Sequence, residues 1–226
     1  MKQKVKTPKF KHLRVSWFSP DKLEKDSILD SLIESRKYAK GRLLDIGCGE
    51  KPYKDIFKDL VDEYIGMDKS FGDIKGSALK IPVKNETFDT VLSTQVLEHV
   101  SDPQKMMEEI HRVLKKGGHA ILTMPLFWCL HEEPEDYFRF TKYALKRLSK
   151  TAKLDIVYIR DRGNWPITIG QLISIFLEPT LNRYFLKYPK RFIQSTIMYI
   201  CYKLSKLYIF NNSQAPLGYC IVLIKK

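Results

Sequence analysis

A glycine-rich turn carries the clearest chemical signal in the sequence. Gly47, Cys48 and Gly49 directly follow the apolar run Leu43–Ile46, and Asp68 closes a second apolar run 19 residues after Gly49. Glycine permits positive φ and lets the backbone approach a ligand closely. In open α/β sheets, ligands bind at the carboxyl ends of the strands, where an acid after the second strand can accept hydrogen bonds from ribose hydroxyls. This spacing indicates a ligand that contains a ribose, with a plain tight turn as the alternative.

The turn does not complete a dinucleotide-binding fingerprint. The third glycine of that fingerprint would stand at position 52, which is occupied by Pro52. The cradle for a pyrophosphate is therefore interrupted, and the sequence argues against NAD and FAD.

A second cluster of reactive side chains lies within 125–141, PLFWCLHEEPEDYFRFT. His131 is a natural general base for an acceptor that loses a proton, and we predict it as the catalytic residue. Asp136 and Tyr137 are predicted to bind substrate. An equally good interpretation is structural, because an Asp136–Arg139 ion pair and a tyrosine hydroxyl can anchor a loop.

The elements that position these residues alternate between strands and helices. Such alternation predicts an α/β fold with a parallel sheet and helices on both faces. The predicted strands are Arg42–Ile46, Tyr64–Met67, Asp73–Gly76, Phe88–Ser93, His119–Met124, Leu154–Ile159 and Tyr219–Ile224.

Capping residues predict where three helices begin and end. Ser19, followed by Pro20, begins a helix that Gly41 ends. Ser101-Asp102-Pro103-Gln104 has the form of a capping box and begins a helix that reaches Gly117. Thr141 begins the third, which runs to about Thr151.

Three stretches in this order resemble the class I S-adenosylmethionine-dependent methyltransferases: LLDIGCGEKPY, YIGMD and IPVKNETFDTVLSTQVLEHVSDPQKMMEEIHRVLKKGGHAILTMP. The similarity covers about 41–160 densely and is nearest to the ubiquinone/menaquinone-biosynthesis-like small-molecule branch. It implies a Rossmann-like, seven-stranded, mostly parallel sheet with S-adenosyl-L-methionine as the cofactor. A helical insertion would precede the last strand. The similarity says much less about the substrate.

The resemblance also implies which residues hold the cofactor. Asp68 would hold the ribose, and Ser77 stands where many relatives carry an acid that contacts the adenine amino group. A serine hydroxyl can accept the same hydrogen bond, with lower expected affinity. Cys48 is expected to pack rather than react, and Tyr53 either shapes the substrate pocket or packs. The predicted cofactor-binding residues are Asp45, Gly47, Cys48, Gly49, Asp68, Ser77, Ala78, Leu79, Thr94 and Gln95.

The positive charge of the chain lies at its two ends. The formal net charge is +13. Residues 1–14 contain six basic side chains and 183–226 contain eight, both without an acid, so the span between them is close to neutral. A uniformly basic protein suggests nucleic acid, whereas basic ends on a neutral body suggest an added docking surface.

Three interpretations compete for the inserted segment 163–213, which is rich in aromatic and basic residues. It is an interfacial helix pair on an anionic membrane, an RNA-binding surface, or a lid whose apolar face packs on the core or on a second copy in a homodimer. The packed lid is favoured, since apolar helices usually belong to a core. Membrane contact is ranked above nucleic acid.

Other features narrow the class of protein. The longest uncharged run, Gly163–Leu177, is too short and too polar to span a membrane. Four scattered cysteines fit a reducing cytoplasm, with peripheral membrane attachment as an option. The five histidines show no ligand spacing, so no metal is expected. We predict four parts: a basic arm 1–18, a core 19–162, the insertion 163–213 and a final core strand 214–226.

Together these observations predict methyl transfer from S-adenosylmethionine to a small-molecule or lipid- or glycan-linked acceptor, at oxygen. One alternative is an RNA methyltransferase. The other is a non-catalytic S-adenosylmethionine-binding accessory protein.

Overall fold

The computed structural model describes residues 8–182, 187–207 and 214–226, so the predicted basic arm and insertion lie partly outside the described residues. Seven strands form one sheet with the order β3-β2-β1-β4-β5-β7-β6. The strands are β1 Arg42–Ile46, β2 Glu63–Asp68, β3 Ile74–Lys75, β4 Phe88–Thr94, β5 Leu114–Pro125, β6 Leu154–Arg162 and β7 Gly218–Lys225. The helices are α1 Lys22–Ser35, α2 Lys54–Phe57, α3 Pro103–Val113, α4 Lys142–Thr151, α5 Trp165–Asn182 and α6 Lys187–Leu204.

The centre of the sheet is parallel. β1 pairs in parallel with β2 and β4, and the pairs β2–β3 and β4–β5 are also parallel. Ile46 therefore lies beside Met67 on one side and Ser93 on the other. This register brings the carboxyl ends of β1, β2 and β4 to one edge, and the sheet confirms the predicted α/β class with seven strands.

Two predicted helix starts were wrong, because both helices begin later in the sequence than the predicted caps. α1 begins at Lys22 rather than at Ser19, and the first helical N–H, that of Lys25, donates to the Asp21 carbonyl. The carboxylate of Asp102, not the hydroxyl of Ser101, accepts from the Lys105 N–H at 2.9 Å. Pro103 then occupies the first turn, where its missing N–H costs nothing.

Two predicted helix ends were also wrong. α1 ends at Ser35, and a short 3₁₀ turn follows it before Gly41. α3 ends at Val113 because Leu114 turns extended and pairs with Phe88 on β4. β5 therefore begins before the glycine pair that was expected to end the helix.

The chain divides into two compact units. The sheet unit comprises Leu32–Arg160 and Tyr219–Lys226, and the helical unit comprises the described residues of Met1–Ser31 and Asp161–Gly218. The four-part division proposed from the sequence stays a prediction. Among the described residues, no helix is both long and apolar enough to cross a membrane.

Each unit has its own apolar core. In the sheet unit, side chains of β1, β4, α3 and α4 share one apolar cluster, in which Leu44, Val91 and Ile110 are fully buried. In the helical unit, a small cluster joins the N-terminal segment to α5 and α6: Leu23, Ile167, Met198 and Leu217.

Candidate active site

A cavity of about 520 Å³ opens at the carboxyl ends of β1, β2 and β4, a size typical of small-molecule sites. It lies wholly within the sheet unit. Its wall is formed by the turn after β1, residues 67–71 and 76–79, the turn after β4 and part of the loop after β5.

Asp68 closes β2 and presents a charged carboxylate to this cavity. Partial burial raises its pKa, but N–H donors from Ser70 (2.9 Å), Phe71 (3.3 Å) and Gly49 (3.3 Å) outweigh the burial and hold the pKa below its ordinary value. An ionised acid at this position can accept hydrogen bonds from ribose hydroxyls.

Gly47 and Gly49 form the floor of the cavity in left-handed conformations, with φ of +70° and +46°. A Cβ on Gly47 would overlap the side chain of Val96, so this position excludes any other residue. A Cβ on Gly49 would meet nothing within 4 Å. The space beside Gly49 is therefore free for a ligand that approaches the backbone.

Asp45 and Cys48 are buried and do not line the cavity. Burial raises the pKa of Asp45 to about 7, although the Tyr64 hydroxyl donates to its carboxylate at 2.6 Å and Lys51 opposes the shift. Burial together with the Asp45 and Asp68 charges raises the pKa of the Cys48 thiol to about 11. Cys48 is thus a packed residue with no nucleophilic character at neutral pH.

Of the remaining predicted cofactor-binding residues, all but one line the cavity. Ser77, Ala78, Leu79 and Gln95 line the cavity, whereas Thr94 does not. The Ser77 hydroxyl accepts from the Leu79 N–H at 3.2 Å and keeps its own proton to donate. Gln95 adopts φ of +56°, and its amide donates to the Thr123 hydroxyl on β5.

A pair of histidines connects the cavity wall to the loop after β5. His99 lines the cavity, and its Nε2 lies 3.0 Å from the Nε2 of His131, which does not line it. The Nδ1 of His99 faces the Glu135 carbonyl at 2.8 Å, and that of His131 faces the Cys129 carbonyl at 3.2 Å. A carbonyl only accepts, so we assign a proton to both Nδ1 atoms. The contact between the two Nε2 atoms is then a hydrogen bond only when one ring carries a second proton.

Asp136 anchors this loop rather than lining the cavity. Arg139 donates two hydrogen bonds to its carboxylate, at 2.6 and 2.7 Å, and this fork holds the pKa of Asp136 far below its ordinary value. The same carboxylate accepts from the His131 backbone N–H at 3.1 Å and lies 3.3 Å from the His131 Nδ1. Asp136 therefore fixes the position and orientation of His131.

Of the two other predicted substrate-binding residues, one lines the cavity and one does not. Tyr137 lines the cavity, and its backbone N–H donates to the Glu98 carbonyl at 3.0 Å. Tyr53 precedes α2 and is not part of the cavity wall.

Sequence reasoning missed several residues at the cavity. It did not predict His99, Lys69 or Glu135 as site residues. Lys69 and Glu135 form an ion pair of 2.8 Å on the cavity wall. These two residues are 66 positions apart, and no local signal connects them. Sequence spacing likewise gave no sign that Glu98, His99 and His131 place three potential ligand atoms within 4.8 Å of one another. The absence of a metal stays a prediction.

A family model described as a methyltransferase domain matches residues 17–188. An uncharacterized protein from Methanocaldococcus jannaschii is 35% identical over 57% of this chain and 67% of its own length. The ubiquinone biosynthesis O-methyltransferase of Ruegeria pomeroyi is 31% identical over 45% of this chain and 46% of that enzyme. The chain thus spans less than half the length of this named enzyme.

Two solved structures share the fold over nearly the whole chain. The cyclase SpnF superposes with a TM-score of 0.58 at 20% identity, covering 94% of this chain and 83% of SpnF. An S-adenosylmethionine-dependent methyltransferase from Thermotoga maritima gives 0.56 at 19% identity, covering 90% and 91%. The family match covers most of the chain, and Asp68 and the open space at Gly49 fit a ribose-containing cofactor. The chain belongs to the class I S-adenosylmethionine-dependent methyltransferases.

Proposed function

We propose that this chain transfers a methyl group from S-adenosylmethionine to a hydroxyl oxygen of a small-molecule or lipid- or glycan-linked acceptor. The observation that carries the proposal is the His99–His131 pair, which reaches the wall of the cavity through His99. The named Ruegeria relative is itself an O-methyltransferase, which supports transfer to oxygen.

Asp68, Gly49 and the segment Ser77–Leu79 are the residues that would hold the cofactor. The cofactor supplies an electrophilic methyl group on a sulfonium. The chain's own contribution is to position the acceptor, since alignment of reactants is worth on the order of 7–11 kcal/mol.

The histidine pair supplies a site for the proton that a hydroxyl acceptor must lose. With both Nδ1 atoms protonated, each Nε2 carries a lone pair, and a proton taken up between them forms a hydrogen bond. His99 faces the cavity and is the group that touches the acceptor, whereas His131, held by Asp136, positions His99 and shares the proton.

His131→Ala tests this role without altering the cavity wall. General-base contributions are typically 10²–10⁴-fold. His131 acts through His99, so we expect the rate of methyl transfer to fall by up to that factor while cofactor affinity stays unchanged. Incorporation of the tritiated methyl group of S-adenosylmethionine into a bacterial lipid and small-molecule extract measures transfer, and calorimetry measures affinity. His111→Ala is the matched control, because His111 lies on α3 outside the cavity. Full turnover in His131→Ala would contradict the role.

RNA is the second candidate acceptor. The tRNA (carboxymethyluridine(34)-5-O)-methyltransferase of Saccharomyces cerevisiae is 34% identical to this chain over 35% of it and 33% of that enzyme. Total tRNA in the same assay separates the two candidates. Label in the RNA and none in the extract would overturn the small-molecule proposal.

A further inference from the structure

The two long helices of the helical unit bury polar side chains. On α5 the buried face contains Thr168, Gln171 and Ser174, whose side chains donate to the carbonyls of Ala215 and Pro20. On α6, buried Gln194 donates to the Ser174 carbonyl. An ordinary surface helix shows the opposite arrangement, with its apolar stripe towards the core.

The opposite faces of the same helices are apolar and exposed. On α5 the exposed residues follow helical spacing: Trp165, Ile169, Leu172, Ile173 and Phe176. On α6 and just beyond it they are Phe192, Ile193, Tyr199, Ile200, Leu204 and Leu207. We call these two stripes the outer apolar face. They hold eleven of the nineteen exposed large hydrophobic side chains in the described part of the chain, and so large a concentration marks an interaction surface.

The outer apolar face lies in the more basic unit. By sequence, the segments Met1–Ser31 and Asp161–Gly218 contain fifteen basic and six acidic residues, so they account for +9 of the net charge of +13. On α6 and just after it, Arg191, Lys203 and Lys206 are exposed among the apolar residues. The described side chains of α5 and α6 include no exposed acid, since Glu178 is half-buried and paired with Lys190.

This combination selects one kind of partner. A symmetric dimer through this face would bring the same cations of two copies together, which opposes association. RNA would need cations and aromatic rings along its path, but the α5 stripe is mostly aliphatic and carries no cation. A bilayer accepts aliphatic side chains below its headgroups, aromatic rings at headgroup depth and basic side chains on its anionic phosphates.

We propose that the outer apolar face docks the protein on the surface of an anionic phospholipid bilayer, without crossing it. The helices would lie in the plane of the membrane, with their hydrogen-bonded polar faces towards the protein. The surface belongs to the helical unit and the cavity to the sheet unit, so this inference does not depend on the proposed methyl transfer.

Co-sedimentation of the full chain with vesicles tests the proposal. We expect binding to phosphatidylcholine vesicles that contain phosphatidylglycerol, weaker binding to phosphatidylcholine alone, and release by high salt. The variant Phe192→Glu should lower the partition coefficient about tenfold or more, because a large apolar side chain is replaced by an anion. Ile169→Glu should do the same from α5.

Tyr143→Glu is the matched control. Tyr143 is an aromatic residue on α4 that is 68% exposed, as Phe192 is, but it lies in the sheet unit. Its replacement should leave vesicle binding unchanged, and thermal unfolding of all three variants should match the wild type. Equal vesicle binding by Phe192→Glu and wild type would overturn the proposal. So would a stable dimer that Phe192→Glu dissociates, or RNA binding without vesicle binding.

Discussion

Gly47 and Gly49 adopt similar backbone conformations for different physical reasons. Gly47 is required by packing, because any side chain would overlap Val96. Gly49 has space for a side chain and lines the cavity, so packing does not explain the glycine there. The φ of +46° favours glycine there, and the open space beside it admits a ligand that approaches the backbone.

Gly49→Ala is expected to separate stability from ligand binding. Alanine at positive φ costs about 1–2 kcal/mol, and we expect the free energy of unfolding to fall by about that amount. We also expect the affinity for S-adenosylmethionine to fall about tenfold or more, because a methyl group is added to the cavity floor. Urea unfolding and calorimetry measure the two quantities.

Gly117→Ala is the control for this substitution. Gly117 has φ of +72°, a Cβ on it would also meet nothing within 4 Å, and it lies on β5 outside the cavity. Its loss of stability should match that of Gly49→Ala, with cofactor affinity retained. Similar affinities in the two variants would show that the cofactor does not approach Gly49.

Asp45 should make stability depend on pH. Burial raises its pKa from 3.8 to about 7, so the folded state favours the neutral acid. This contribution is fully present below about pH 4 and is lost as the pH rises towards 7. Relative to Asp45→Asn, which cannot ionise, the wild type should therefore lose up to about 3 kcal/mol of unfolding free energy between pH 5 and pH 8.

For each protein, the unfolding free energy at pH 8 is subtracted from that at pH 5. This subtraction removes any effect of the new amide that does not depend on pH. Urea unfolding of both proteins at each pH gives the four free energies. Parallel pH profiles for wild type and Asp45→Asn would contradict a raised pKa at this position.

At the scale of elements, the sequence was most informative where a buried strand meets a turn. The bounds of β1 match the prediction. Gly47, Gly49, Asp68 and the segment 77–79 all line one cavity. These residues follow strands directly, so the register of the sheet is enough to bring them together.

Helix boundaries and the start of β5 could not be predicted from local signals. Ser101 and Asp102 are both good caps, and only the folded chain selects the second. The segment from Leu114 to Gly118 is polar and glycine-rich, and its pairing with β4 makes it a strand.

The histidine pair depends on a loop that folds back on another element. The N–H groups of Tyr137 and Phe138 both donate to the Glu98 carbonyl, at 3.0 and 3.2 Å. This contact places His131 beside His99, although the two residues are 32 positions apart in the sequence. The hydrogen bonds belong to the backbone, so the side-chain pattern of the loop gave no sign of them.

At the scale of the whole molecule, charge and chemistry lie in different units. Most of the net positive charge belongs to the helical unit, whereas the cavity, Asp68 and both histidines belong to the sheet unit. If the proposed docking is correct, the net charge of +13 reflects the surface that the protein binds rather than the acceptor that it methylates. The cofactor and an anionic membrane should therefore slow amide hydrogen exchange in different parts of the chain.

Hydrogen exchange measured with each ligand should show these two separate patterns of protection. At about 100 times its Kd, S-adenosylmethionine stabilises the form that binds it by about 2.7 kcal/mol. On addition of the cofactor, we expect amide exchange to slow most in the turns at 47–49 and 69–71, and to stay unchanged in α5 and α6. Anionic vesicles should protect α5 and α6 and leave those turns unchanged. Gly49→Ala should then weaken only the first pattern and Phe192→Glu only the second, whereas weakening of both patterns in either variant would show that the two surfaces do not act separately.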